Sequence, residues 1–111
     1  MKVSQRDIVR ISLNPVKGRE QRGMRPAVVV SGNAFHVSGM CIICPLTSKI
    51  HNFVGDVILK PNPINRLDEP SEVLVGHVRS VSLERITKKI GVIQGLELEN
   101  IFKGIDLIFD R

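Results

Sequence analysis

The sequence predicts a single, mainly β domain: a small, strongly curved β-barrel closed by a C-terminal α-helix. The chain has 111 residues, which is the length of one domain, and we expect residues 1–111 to form it. Several short apolar segments have the alternation or the length of β-strands, and turn residues separate them. The last segment, residues 98–109, instead repeats its apolar residues at helical spacing.

The first two predicted strands flank a polar loop. Residues 7–13 alternate between apolar and polar side chains, as a half-buried strand does, and residues 26–30 are apolar on both faces, which predicts a central strand. Residues 60–70 hold three of the six prolines and predict an irregular loop. Gly76 interrupts a later strand, where it predicts a bulge or a close approach of the backbone. The other predicted elements are strands at residues 40–46, 54–59, 72–75, 77–81 and 88–92, and one helical turn at residues 82–86 that begins at Ser82.

The predicted C-terminal helix is amphipathic, with two glutamates in its first turn that complement the helix dipole. Its spacing predicts that Phe102 and Phe109 face the core. Because the chain has no Trp and no Tyr, Phe35 and Phe53 are then the candidates for base stacking. With so few aromatic residues, we expect a bound nucleic acid to be held mainly by cations and backbone groups.

The net charge is +5 and the isoelectric point is about 9.7, which favours an anionic partner such as nucleic acid or an anionic membrane. No apolar run reaches the length of a spanning helix, and the N terminus has no apolar segment typical of a signal peptide. We therefore expect a cytoplasmic protein in which Cys41 and Cys44 are reduced thiols. Strand positions three apart face opposite sides, so these cysteines are predicted to be small core residues, not a metal or redox pair.

The stretch at residues 18–26, GREQRGMRP, is predicted to carry the function. Lys17, Arg19, Arg22 and Arg25 place four cations around one carboxylate, Glu20. The stretch connects two strands, and loops on a rigid scaffold often carry binding and catalysis. Four cations suit a phosphate ligand better than an apolar one. The alternative interpretation is an ordinary solvated surface loop.

Hydroxyl and imidazole groups supply the other candidates. Thr47 and Ser48 end the third predicted strand, where they are either turn residues or hydroxyl donors to a phosphate oxygen. His77 stands between apolar residues with Arg79 on its own face, and it is either a catalytic group or a hydrogen-bonded histidine on the barrel surface. The two other histidines are predicted to be plain loop residues: His36 and His51.

The chain offers no nucleophile of its own. It has no serine in a nucleophile elbow, no cysteine paired with a histidine, no phosphate loop and no carboxylate cluster for magnesium. RNA carries its own nucleophile, the 2′-hydroxyl. Cleavage by that route needs a base, an acid and cations placed against the charge that builds on phosphorus. An enzyme of this kind is expected to need no metal and no cofactor.

One long motif resembles a known family. The pattern D-I-V-x-x-x-L-N-P-x-K-G-x-E-Q-x-G-x-R-P-A-V-V-V-S, from Asp7 to Ser31, resembles the MazF/PemK (Kid) toxins of bacterial toxin–antitoxin modules. The sequences from Pro45 to Ser48 and from Val78 to Ile86, and the helical C terminus, are similar as well. The resemblance implies a homodimeric barrel of the Src-homology-3-like type, shared with the gyrase poison CcdB. It also implies a metal-independent endoribonuclease that cuts single-stranded RNA at short sequences and an antitoxin with an acidic tail. The products would be 2′,3′-cyclic phosphate and 5′-hydroxyl ends.

The resemblance also implies roles for individual residues. Arg25 matches the family's catalytic arginine, Thr47 its catalytic threonine, and Glu20 the acid of its Glu-Gln pair. Many members have an acid followed by Gln where this chain has Gly76-His77, so either Glu20 or His77 is left to accept the proton. The residues expected to contact RNA are Lys17, Arg19, Gln21, Arg22, Ser48, Lys49 and Arg79.

Two other functions fit the same fold. A gyrase poison of the CcdB type would act by binding, but those poisons use a C-terminal Trp and this chain ends IDLIFDR. A non-catalytic barrel that binds RNA is the second alternative. A basic groove would suffice for non-specific binding, although the scarcity of aromatic residues argues against it.

Overall fold

The computed structural model describes residues 2–12 and 24–110, in which seven β-strands are followed by one α-helix. The expectation of several short strands followed by a C-terminal helix is confirmed. Within these residues no helix is both long enough and apolar enough to cross a bilayer. The strands are β1 Asp7–Ser12, β2 Met24–Val29, β3 Met40–Thr47, β4 Val57–Leu59, β5 Ser71–Val73, β6 Arg79–Ser82 and β7 Ile86–Val92, and the helix is α1 Gly95–Ile108. Short 3₁₀ turns occupy Asn33–Ser38, Val75–His77 and Leu83–Arg85.

All strand pairs in the described part of the chain are antiparallel, in the order β4-β5-β3-β2-β1-β7, and β6 pairs with β3 off this path. The long strand β3 changes partner along its length. Its residues from Met40 to Ile43 pair with β6, whereas Leu46 and Thr47 pair with β5. This change of partner bends the sheet strongly, although in the described residues the order does not return from β7 to β4. The predicted mainly β fold of the barrel type with a C-terminal helix is confirmed.

Two apolar clusters lie on opposite faces of the sheet. In β2 and just after it, Val28 and Val30 belong to the cluster that includes Leu98 of the helix. Ala27 and Val29 belong to the second cluster, on the other face. A strand that buries both faces needs an uninterrupted apolar sequence, which is why residues 26–30 lack the alternation of β1. Each valine that is fully buried stabilises the fold by about 1.5–3 kcal/mol relative to an exposed one.

The two cysteines confirm this arrangement in β3. Cys41 is buried in the second cluster and Cys44 in the first, so the strand separates the two thiols as their spacing predicts. Burial raises the pKa of both thiols, and that of Cys44 reaches about 12 with a further contribution from the negative charge of Asp56. Both side chains are therefore uncharged core residues at neutral pH.

The helix corrects one prediction. Phe102 and Phe109 were expected in the core, but they are 40% and 64% exposed. The buried helical residues are Leu98, Ile101 and Gly104. At Gly104 the helix lies against the backbone of Gly55, so closely that a β-carbon there would overlap the Gly55 carbonyl oxygen. With this contact the helix face that carries residues 98, 101 and 104 packs on the sheet, and the two phenylalanines are exposed to solvent.

The strand limits near Gly76 also differ from expectation. Instead of strands at residues 72–75 and 77–81, the chain forms β5, a 3₁₀ turn at Val75–His77, and β6. A β-carbon on Gly76 would meet nothing within 4 Å, so the predicted close approach of the backbone is wrong. The helical turn after Ser82 is confirmed, because the Ser82 hydroxyl oxygen accepts a hydrogen bond of 3.2 Å from the N–H of Glu84.

Candidate active site

A concave cavity of about 510 Å³ lies where β2 begins and β3 ends. Arg25 and Thr47 both line it. The strand register explains their proximity: Ala27 pairs with Pro45, and the same register continued by two residues brings Arg25 opposite Thr47. The arginine is exposed and the threonine is half-buried. A guanidinium and a hydroxyl group, far apart in sequence, therefore share one recess.

Thr47 is held by a local hydrogen bond. Its hydroxyl oxygen accepts the N–H of Lys49 at 3.1 Å. A threonine hydroxyl has one proton and two acceptor lone pairs, so a hydroxyl that accepts this bond can still donate its proton to a ligand. Ser48, the next residue, also lines the cavity and is exposed. The end of β3 therefore presents two hydroxyl groups to the cavity beside the exposed Lys49.

Four charged residues of the cavity were not singled out from the sequence. Arg10 lies on β1, where its Cα partner is Pro26 of β2. The other three belong to the irregular loop at residues 60–70, which the sequence predicted without indicating which side chains it would turn toward the site. They are Arg66, Asp68 and Glu69.

The loop is organised by one buried amide. Asn65 is fully buried, its Oδ1 accepts the N–H groups of Asn62 and Leu67 at 3.0 Å each, and its Nδ2 donates to the carbonyl of Lys60 at 2.9 Å. Arg66 follows with a φ of +56°, in the left-handed region. The Asn62-to-Asn65 spacing is the signal in the sequence that could have predicted these turns, since Asn side chains often bond the backbone a few residues away.

The charges of the cavity favour an anion. Three arginines face two carboxylates, so its described lining carries a net charge of about +1. Guanidinium groups bind phosphate oxygens through a planar fork of N–H donors. The cavity can thus hold a phosphodiester, with Asp68 and Glu69 as the two acidic groups within it.

The other predicted site residues separate into two groups. Lys17, Arg19, Glu20, Gln21 and Arg22 lie outside the described residues. Three more are described but do not line the cavity: Lys49, Arg79 and His77. Arg79 is exposed on β6, opposite Ile43.

His77 stands instead beside a pair of carboxyl groups on β5 and the loop before β4. It ends the turn Val75–His77, and its charge acts to lower the pKa of Asp56. The Asp56 and Glu72 carboxyl groups are close enough to share a hydrogen bond when one of them is protonated. In the described residues, His77 does not share the cavity with Arg25. Among those same residues, no set of three or more His, Cys, Asp or Glu side chains could hold a metal ion.

Asp56 and Glu72 share one negative charge. Burial first, and then the hydrogen bond and the charge of Glu72, raise the pKa of Asp56 to about 6. Burial alone would raise the pKa of Glu72 as well. The hydrogen bond from Asp56 and the backbone N–H groups of residues 51–53 outweigh burial, and they lower the pKa of Glu72 to about 2. Near pH 5 the pair therefore consists of a protonated Asp56 and an ionised Glu72.

Comparison with known proteins identifies the family. The chain matches, over residues 4–109, the family described as PemK-like, MazF-like toxin of type II toxin-antitoxin system. The chain belongs to the PemK/MazF toxin family. Nearly the whole chain takes part in the match, so the cavity between β2 and β3 belongs to a PemK/MazF domain.

Curated relatives of this PemK/MazF chain include two from Escherichia coli (strain K12) and one from Mycobacterium tuberculosis. Endoribonuclease toxin ChpB of E. coli is 36% identical over 90 residues, which are 78% of this chain and 76% of ChpB. Endoribonuclease toxin MazF of E. coli is 29% identical over 104 residues, 92% of this chain and 89% of that toxin. Endoribonuclease MazF9 of M. tuberculosis is 26% identical over 110 residues, 94% of this chain and 93% of MazF9.

Solved structures agree with the fold. The crystal structure of MazF from Deinococcus radiodurans has a TM-score of 0.80 and 26% identity, and the match covers 100% of this chain and 99% of that one. The M. tuberculosis toxin MazF-mt6 has a TM-score of 0.78 at 17% identity, covering 95% of this chain and 97% of that one. An endoribonuclease in complex with its cognate antitoxin, from a mycobacterial species, has a TM-score of 0.77 at 15% identity, covering 96% and 94%. The PemK/MazF fold is thus shared along the full length of these chains.

Proposed function

We propose that this chain is the toxin of a toxin–antitoxin module and acts as a metal-independent endoribonuclease on single-stranded RNA. The substrate is messenger RNA in the cytoplasm, whose cleavage at short sequences stops translation and growth. The observation that carries the proposal is the shared cavity of Arg25 and Thr47 in a PemK/MazF domain. The names of the curated relatives, all endoribonucleases, support the same activity.

The proposed reaction is attack of the RNA 2′-hydroxyl on the adjacent phosphorus. A base removes the hydroxyl proton, the oxygen bonds to phosphorus, and the bond from phosphorus to the 5′-oxygen breaks as that oxygen gains a proton. Negative charge builds on the non-bridging oxygens meanwhile. Arg25 and the Thr47 hydroxyl are the donors for these oxygens, and one preorganised donor of this kind contributes about 2.7–4 kcal/mol to the transition state. The products are a 2′,3′-cyclic phosphate and a 5′-hydroxyl end.

We assign the proton acceptor to Glu20, not to His77. Glu20 precedes Arg25 by five residues, whereas His77 does not line the cavity and interacts with Asp56. We expect Glu20→Gln to lower kcat by about 10²–10⁴-fold, the usual contribution of a general base. His77→Ala should leave the pH dependence of kcat unchanged. The measurement is the rate of RNA cleavage between pH 5 and 9 for both variants, with Glu69→Gln as a test of one of the two acids that line the described part of the cavity. Loss of the acidic limb of the profile in His77→Ala would reverse the assignment.

The partners follow from the same proposal. The toxin forms a homodimer, and its cognate antitoxin places an acidic tail against the cationic cavity. The support is the family itself, which consists of toxins of type II systems, and the structure of a fold neighbour with its cognate antitoxin. The net charge of +5 and the three arginines of the cavity suit an acidic segment as well as RNA.

One assay separates the candidate functions. Pure protein is incubated with a labelled, mixed-sequence, single-stranded RNA in excess chelator, and the ends of any fragments are identified. We expect cleavage with cyclic phosphate ends. RNA binding without cleavage would instead identify a non-catalytic binding barrel. DNA breakage that requires gyrase would identify a poison of the CcdB type.

A further inference from the structure

Two aromatic rings lie stacked on the surface, a few residues after β3 ends at Thr47. The centroids of the His51 and Phe53 rings are 4.7 Å apart, and the ring planes differ by 8°. Both residues are exposed, and Phe53 is 56% accessible. A stacked pair uses one face of each ring and leaves the outer faces for another flat group. His51 was predicted to be a plain loop residue, and the structure instead makes it one half of an aromatic pair with Phe53.

Backbone hydrogen bonds to a buried carboxylate fix the position of this pair. The carboxylate of Glu72, fully buried on β5, accepts the backbone N–H groups of three consecutive residues: His51, Asn52 at 2.8 Å, and Phe53 at 3.0 Å. Asn52, between the two residues in sequence, has a φ of +60°, in the left-handed region that Asn tolerates better than most residues. Hydrogen bonds from N–H groups to an ionised carboxylate are about twice as strong as neutral ones. The rings are thus held in place before any ligand arrives.

The pair lies close to the proposed reaction centre. Thr47 of β3 and Glu72 of β5 are Cα partners in the sheet, so the carboxylate that fixes the rings is next to the strand end that carries the threonine. His51 follows Thr47 by four residues, and four residues can span at most about 14 Å. The exposed cation Lys49 stands between them in sequence. An RNA strand whose phosphate occupies the cavity can therefore reach the rings with a neighbouring nucleotide.

We propose that the His51–Phe53 pair is a base-stacking subsite for a nucleotide that flanks the scissile phosphate. The inference rests on the proposed endoribonuclease function and adds a binding site to it. Unpaired bases of single-stranded RNA stack on aromatic side chains, and such a platform tolerates any base because every base has a flat face. An exposed ring surface near a cation complements a nucleotide, because the ring can stack on the flat base and the cation can bind the anionic phosphate.

The absence of Trp and Tyr from the chain makes a direct test possible. Phe53→Trp places a single indole at the subsite, and its fluorescence is followed during titration with a single-stranded oligonucleotide whose 2′-hydroxyls are replaced by hydrogen, so that it cannot be cleaved. We expect saturable quenching. The same oligonucleotide without bases should bind through its phosphates but should not quench the indole.

Phe35→Trp is the matched control. Phe35 is 41% exposed, and its carbonyl accepts a hydrogen bond from the Ser38 hydroxyl. Phe35 precedes the start of β3 at Met40, and the strand from Met40 to Thr47 is about 23 Å long. Its indole should not respond to the oligonucleotide. In addition, Phe53→Ala should raise KM for RNA by about 5–150-fold with kcat little changed, as loss of one stacked base predicts, while Phe35→Ala should change neither.

The outcomes separate the subsite from the activity. If the original chain cleaves RNA but the Phe53→Trp indole is not quenched by bound oligonucleotide, the subsite is wrong and the endoribonuclease stands. Equal quenching by the oligonucleotide without bases would also overturn it, because phosphate alone would then explain the signal. If the original chain cleaves no RNA, the proposed function itself fails, whatever the fluorescence shows.

Discussion

Replacing Arg25 with alanine is expected to lower kcat for RNA cleavage by a factor of about 10²–10³ while the fold is retained. The side chain is exposed at the start of β2 and belongs to neither apolar cluster, so its removal leaves the core intact. It does remove a cation that lines the same cavity as Thr47. Because that charge is needed most when the phosphorus is pentavalent, the loss should fall mainly on kcat and less on KM. The measurements are single-turnover cleavage rates and thermal unfolding followed by circular dichroism.

Arg79→Ala is the matched control for this experiment. It removes the same charge from another exposed strand residue that does not line the cavity. As a predicted RNA contact, Arg79 should affect KM and leave kcat within about threefold of the original value. Arg25→Lys should restore only part of the rate, because an ammonium group lacks the planar fork of donors. Equal cleavage rates in Arg25→Ala and Arg79→Ala would remove Arg25 from the mechanism.

Local patterns of the sequence predicted the elements of the fold well. The uninterrupted apolar run in β2 and the cysteine spacing in β3 predicted which strand faces are buried, because successive side chains of a strand point to opposite faces. The alternation in β1 predicted one buried face, whereas Ile8 is buried on the other face as well. The helix was predicted from the same kind of pattern, but its rotation was not. Which stripe faces the sheet depends on the contact between Gly104 and Gly55, which are far apart in sequence.

The candidate site was only partly predictable for the same reason. Arg25 and Thr47 were candidates from their charge and hydroxyl chemistry, the resemblance assigned them catalytic roles, and the fold places both in one cavity. The contributions of Arg66 and Glu69 depend on how an irregular loop folds around Asn65. Glu72 follows a polar segment and precedes the apolar residues 73–75, and nothing local indicates that three backbone N–H groups some twenty residues earlier surround its carboxylate.

Glu72→Ala is expected to destabilise the fold by about 2–5 kcal/mol. The carboxylate is fully buried and accepts the N–H groups of residues 51–53, and Asp56 hydrogen-bonds it as well. Removing it leaves these donors without their acceptor, and each buried donor left unsatisfied costs about 1–3 kcal/mol, less where water can replace the partner. The measurement is the free energy of unfolding in urea. Glu99→Ala, which removes an exposed carboxylate from α1, is the control and should change stability by less than about 0.5 kcal/mol.

The shifted pKa values of Asp56 and Glu72 should make the free energy of unfolding depend on pH. Glu72 has a lowered pKa in the folded state, so its contribution is present above its unfolded pKa of about 4.5 and is lost as the pH falls toward 2. Asp56 has a raised pKa, so its contribution is present below its unfolded pKa of about 3.8 and is lost as the pH rises through about 6. Together they predict that this pair stabilises the fold most near pH 4–5.

Asp56→Asn tests the loss of stability that we expect as the pH rises through about 6. An asparagine amide donates to the Glu72 carboxylate at every pH, as the protonated acid does, so the loss of stability between pH 5 and 7.5 should shrink and the melting temperature at pH 7.5 should rise. Among the described residues, three charged groups face Asp56: Glu72 on β5, His77 at the end of the turn Val75–His77, and Lys103 of α1, which lines the same surface cavity. His77→Ala is the necessary comparison, because the charge of His77 also acts on the Asp56 carboxyl. If the slope survives in Asp56→Asn and disappears in His77→Ala, the shared proton is not the cause, and the loop that carries the stacked rings is held by Glu72 alone.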